Sequence, residues 1–157
     1  MKRPSLVIVT PALADANNGN WQTARRWARG LSAHYRVLLT DRWPNDGQID
    51  GQIGDEALMI ALHARRSAPA MVAWRAAHPQ RPLLLVLTGT DLYRDIAQDA
   101  SAQASLASAD ALVVLNPLGP QQLPLQHRAK CHVLLQSCSQ RRKLPKTGRH
   151  LRALMVG

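Results

Sequence analysis

Three features of the amino-acid sequence predict an α/β fold built on an open parallel sheet. Short, continuous apolar runs recur along the chain, the mark of strands buried on both faces. Helical stretches with apolar residues three and four apart separate them. Polar loops follow several of the runs, where an open parallel sheet places its ligands. At 157 residues, 46% of them apolar, the chain is long enough to bury a core. With four Trp, two Tyr and no Phe, that core must come from Leu, Ala, Val and Ile.

Ser5-Leu6-Val7-Ile8-Val9-Thr10 is the first predicted strand. A loop rich in Ala, Asp, Asn and Gly follows, and Gly19 or Asn20 is the expected N-cap of a helix over 21–33. Trp21, Ala24, Trp27, Ala28 and Leu31 form its apolar stripe, and Arg25, Arg26 and Arg29 its other side. A second strand covers 35–40. Residues 41–55 read as a loop, with Pro44-Asn45-Asp46-Gly47 as the turn signal. The third strand is 57–62, followed by a helix over 64–77. Strand four is 83–87, a helix covers 100–109 with Asp99 near its start, and strand five is 111–115. Asn116-Pro117 breaks that strand, 118–123 form one helical turn, and 131–135 make the sixth strand. This alternation predicts a Rossmann-like sheet with helices on both faces. The expected organisation is one domain over 1–136, a linker over 137–150, and a strand over 151–157 that opens a second unit. There is no internal repeat.

Composition excludes some classes of protein. No apolar segment in the sequence reaches bilayer-spanning length. Ser5–Val9 is too short for a secretory leader and ends in Thr10-Pro11 without a cleavage site, which places the protein in the cytoplasm. Cys131 and Cys138 there read as two reduced thiols. The net charge is +10, and the 47 residues after Asp110, the last acidic one, carry eight Lys or Arg. Arg141-Arg142-Lys143-Leu144-Pro145-Lys146 sit among Pro, Thr and Gly without interleaved aromatics. That composition fits a linker better than a nucleic-acid surface, so no specific nucleic-acid partner and no membrane partner is expected.

Three predicted strand ends carry unusual chemistry. The first is Asn17-Asn18-Gly19-Asn20-Trp21, where a glycine and a helix N-terminus make an anion site or simply a capped turn. The second is His63-Ala64-Arg65-Arg66-Ser67, whose guanidinium forks suit a phosphate-like group. Each residue taken singly reads as a solvated Arg or a packed His. The third is Thr88-Gly89-Thr90-Asp91-Leu92-Tyr93-Arg94-Asp95. Asp91 either orients a ligand hydroxyl or makes an Asx turn, and Arg94 either meets an anion or pairs with Asp91 or Asp95. Trp27 and Trp74 lie at core spacing. The histidines show no metal-ligand spacing, and neither a P-loop nor a dinucleotide fingerprint is present.

These three loops, with Thr10-Pro11-Ala12, the continuation Gln22-Thr23-Ala24-Arg25-Arg26-Trp27 and the tail from Leu144 to Gly157, closely resemble the selenosugar synthases of selenoneine biosynthesis. The likeness covers essentially the whole chain. It implies the N-terminal, acceptor-side half of a GT-B glycosyltransferase, with 151–157 beginning a donor-binding domain. It implies an enzyme that joins selenophosphate to the anomeric carbon of a UDP-sugar, UDP-N-acetylglucosamine or UDP-glucose, with neither cofactor nor metal. UDP and phosphate are released. Carried onto this sequence, Asp91 and His63 are the catalytic candidates. Asn18, Gly19, Asn20, Thr23, Arg25, Arg65, Arg66, Thr88, Gly89, Thr90, Tyr93 and Arg94 are the acceptor-binding candidates. Two alternatives stand beside this reading: a glycosyltransferase for a sugar or lipid acceptor, favoured by an apolar groove near Trp21 and Trp43, and a non-catalytic basic domain that binds anions or nucleic acid.

Overall fold

A computed structural model describes residues 3–16, 18–44, 55–137 and 148. The turn residues 45–47, Asn17, Cys138, the strand expected over 151–157, and the linker apart from Ser137 and Gly148 lie outside them. The element order is β1 (Ser5–Val9), α1 (Gly19–Leu31), β2 (Arg36–Thr40), β3 (Glu56–Leu62), α2 (Ala68–Ala77), β4 (Leu83–Leu87), a π-helical turn (Asp91–Asp95), α3 (Ile96–Gln98), α4 (Ala100–Ser108), β5 (Ala111–Val114), α5 (Gly119–Gln122), α6 (Leu125–Arg128) and β6 (Cys131–Val133).

All strand pairs are parallel, in the order β2-β1-β3-β4-β5-β6. The fold is therefore the expected α/β sheet. Every strand delivers its carboxyl end to one edge, and the order reverses between β1 and β3, where such sheets open a crevice.

Alternation along each strand sends side chains to two cores. Val7, Val9, Met59, Leu85 and Leu112 meet Met71 and Trp74 of α2, Leu106 of α4 and Leu92 on one face. Leu6, Ile8, Ile60, Leu62 and Val86 meet Ala24, Trp27 and Leu31 of α1 on the other. Trp74 is fully buried and packs edge-on against Trp43, with ring centroids 5.2 Å apart. Such a pair adds about 0.5–1.5 kcal/mol beyond area burial. Trp27 and Trp74 thus pack as their spacing predicts, and Trp43 belongs to the core rather than to a groove.

Several boundaries differ from expectation. The cap of α1 is Asn18, whose Oδ1 accepts from Trp21 N at 3.1 Å, so Gly19 and Asn20 fall inside the helix. The second helix starts at Ala68, not Ala64. Pro69 lacks an N–H and suits the first helical turn. Ser67 Oγ is bonded to Leu62 O at 2.6 Å, and residues 63–67 form a separate turn. β5 and β6 end earlier than their apolar runs, and α6 was not foreseen. No helix among the described residues is long and apolar enough to cross a membrane.

A groove of about 450 Å³ opens on the α1 face, lined by Arg26, Trp27, Leu31, Ile60, Leu84 and Leu134 among others. The segment after β6 crosses there. Gln136 Nε2 donates to Thr23 Oγ1 at 2.7 Å, and Arg26 donates to Ser137 O.

Two glycines give opposite predictions. A Cβ at Gly119 would lie 2.7 Å from Val114 Cβ. Gly119→Ala should therefore cost about 1–3 kcal/mol through overpacking. Gly30 lies inside α1 with nothing within 4 Å of its Cβ position, and Gly30→Ala should gain up to about 1 kcal/mol of helix propensity. Urea midpoints of the two variants should move in opposite directions.

Candidate functional site

At the carboxyl edge the turn after β3 and the loop after β4 are fastened to each other. The fastener is Asp91, which has no exposed surface. Its Oδ2 accepts from Ala64 N at 2.9 Å, and its Oδ1 accepts from Thr88 N and Gly89 N, each at 2.9 Å. A carboxylate so occupied has little capacity left for a ligand. Asp91 is therefore a buried brace, and its local bonds run back to residues 88 and 89 rather than forward as in an Asx turn. The same bonds take up the Thr88 and Gly89 amides. Gly89 has φ +143°, a backbone that only glycine adopts without strain.

His63 is also buried and structural in its contacts. Its φ is +75°, a left-handed conformation uncommon outside glycine. Nδ1 accepts from Arg66 N at 3.4 Å, and Nε2 lies 3.1 Å from Thr90 Oγ1. A backbone N–H can only donate, so the ring proton sits on Nε2. Burial pushes the His63 pKa below 6.5. The Asp91 charge opposes that shift, and Arg66 reinforces it. The imidazole is neutral at neutral pH with both nitrogens engaged. Asp95 lies 3.9 Å from Nε2, on the same ring nitrogen as Thr90. A hydroxyl–His–carboxylate relay needs its carboxylate on the other nitrogen, so the arrangement is not a nucleophilic triad.

The groups that reach solvent here are cationic. Asp95, which the sequence reading offered only as a partner for Arg94, is buried and accepts from Arg94 Nε at 2.8 Å and Arg65 Nε at 3.0 Å. Each bond uses one Nε. The Arg65 side chain is 41% exposed and the Arg94 side chain 62%, so donors of both forks remain available. Arg66 is exposed beside them. The Arg94 hydrogen bond, with help from the Arg65 charge, holds Asp95 below 3.8 against the opposing effect of burial. Three guanidinium groups against Asp91 and Asp95 leave the edge with net positive charge.

Tyr93 is largely exposed, and its hydroxyl accepts from Asn116 Nδ2 at 2.9 Å. Asn116, at the end of β5, did not stand out in the sequence beyond breaking the strand. Its Oδ1 also accepts from Leu118 N at 3.0 Å.

The remaining candidates lie on α1 and its cap, and among the described residues no hydrogen bond or ion pair joins them to this cluster. Asn18 caps the helix. Gly19 has open space around its Cβ position and no left-handed φ, so neither the turn nor a packed protein neighbour requires a glycine there. Asn20 is half-buried. Thr23 is buried, and its hydroxyl accepts from Gln136. Arg25 is exposed on the helix surface. Of the three loops, the structure thus ties together the second and third. Among the described residues no group of three or more His, Cys, Asp or Glu could hold a metal ion.

No protein-family model matches the chain, and no curated protein matches it.

Removing Asp91 would strand three amide donors at the loop junction. Each buried unpaired donor costs about 1–3 kcal/mol, so Asp91→Ala should lower stability by roughly 3 kcal/mol or more, read as a large fall in the urea midpoint. Asp95 predicts a pH effect. Its folded pKa lies below the unfolded value, so its contribution is complete above that value and is lost as pH falls through the folded one. Asp95→Asn should flatten the dependence of thermal stability on pH below about 4.

Proposed function

We propose that the edge over β3 and β4 is the acceptor-side anion site of a glycosyltransferase, the half that presents selenophosphate to the anomeric carbon of a UDP-sugar. The observation that carries this reading is a cationic rim with no disengaged base. Arg65, Arg66 and Arg94 offer outward donors, while His63, Asp91 and Asp95 are all internally bonded. An ionised selenium nucleophile has no proton to lose and needs positioning more than a base. The Se–C bond forms as the bond from C1 to the UDP oxygen breaks, and UDP leaves with the electron pair. Release of phosphate then requires water at the P–Se bond.

Guanidinium forks match the oxygens of a phosphate-type group. Asp91 and His63 enter this proposal as positioning residues, since neither has a group free to act on substrate. The nucleotide would be held by a donor-binding domain, as the family resemblance implies. The lipid-acceptor reading draws no support from Trp43, which is core, and the α1-face groove contains no residue of the three loops.

The direct assay offers the protein with its donor half selenophosphate and a set of UDP-sugars, and seeks a seleno-sugar by mass. Absence of product with every donor would remove the proposal. Arg66→Ala should raise the KM for selenophosphate about tenfold or more, as expected for a charge-assisted bond, and leave UDP affinity unchanged. Unaltered acceptor kinetics would take Arg66 out of the site.

A further inference from the structure

The direction of one hydroxyl proton follows from the bonds already described. Arg66 N donates to His63 Nδ1 at 3.4 Å, so this nitrogen is the acceptor of a neutral ring. Nε2–H then donates to Thr90 Oγ1, 3.1 Å away. Thr90 Oγ1 cannot return its own proton to that nitrogen. No other described residue accepts from it, and Thr90 is exposed. Its O–H therefore faces solvent at the rim where Arg65, Arg66 and Arg94 also present donors.

We infer that Thr90 is a ligand-binding hydrogen-bond donor, that His63 fixes its proton outward, and that the pair helps select a phosphate-type oxyanion. This rests on reading the rim as an anion site and adds to it a specificity residue and its positioning residue. The His63 contact occupies one of the two Oγ1 lone pairs and keeps the O–H off Nε2, which biases the hydroxyl towards donating to a ligand. With it, the edge offers a ligand outward donors: guanidinium N–H groups and one O–H. An oxyanion satisfies them all, whereas an ammonium meets only repulsion. The left-handed backbone at His63 fits this role. It is the kind of local cost that persists where the surrounding structure enforces it, and here it carries the ring to Thr90 while the next amides reach Asp91 and Nδ1.

The test uses the full chain near pH 7.5 and inorganic thiophosphate as the probe, with binding followed by calorimetry. The wild type should bind, Arg66→Ala should bind less tightly, and Thr90→Val, which keeps the side-chain shape, should lose about tenfold or more in affinity. Thr90→Ser should restore wild-type affinity, which a purely steric role for the threonine methyl would not allow. Nitrogen-15 shifts of His63 should show a protonated Nε2 and a bare Nδ1. If Arg66→Ala weakens binding while Thr90→Val binds like wild type, the Thr90 inference fails and the anion site stands. A proton on Nδ1 also overturns it. No thiophosphate binding by the wild type overturns the anion site and this inference with it.

Discussion

The carboxylate of Asp91 is the constraint on which the candidate site depends. Two loops leave neighbouring strands, and each must turn sharply while keeping its amides paired. One buried anion serves both: one oxygen takes Ala64 N, the other takes Thr88 N and Gly89 N. A buried charge is tolerated only when its hydrogen bonds are made, and here backbone dipoles make them. Fastening the loops in this way sets His63 against Thr90 and Arg65 against Asp95. The exposed cations are thereby mounted on a cross-braced pair of loops, with donors of their guanidinium groups left facing solvent.

The fold was legible because its signals are local. Runs such as Ser5–Val9 and Leu83–Leu87 are apolar without alternation, and both lie buried in the sheet. Asp99 announced its helix and caps it, accepting from Ala102 N at 2.9 Å. Boundaries failed where a tertiary bond outweighed propensity. The alanine and two arginines of residues 64–66 favour helix, yet Ala64 N is drawn to Asp91 and Arg66 N to the His63 ring. Pro69 carried the better signal, since helices readily begin around a proline.

The clustering of the candidate residues was half legible. Residue types at strand ends pointed to the carboxyl edge of the sheet, and Arg65, Arg66 and Arg94 do face solvent there. The roles of Asp91 and His63 were not readable. Burial and backbone donors separate a brace from a catalytic acid, and neither is written in spacing. The Thr23 contact was unreadable for a similar reason, because its partner Gln136 lies over a hundred positions away in the chain. Asp95 had a signal, adjacency to Arg94, but its bond to Arg65 requires the tertiary fold.

The placing of β1 between β2 and β3 has a consequence for how the protein is made. Leu6, Val7, Ile8 and Val9 are almost completely shielded in the finished molecule, yet they leave the ribosome before either of the strands that pair with them. One side of β1 can be matched once residue 40 has emerged. The other waits for residues 56–62. Until then a short, sticky strand has an open edge, and parallel pairing across a long connection is slow. A fully shielded strand thus stays unmatched on one side until residues 56–62 have been made.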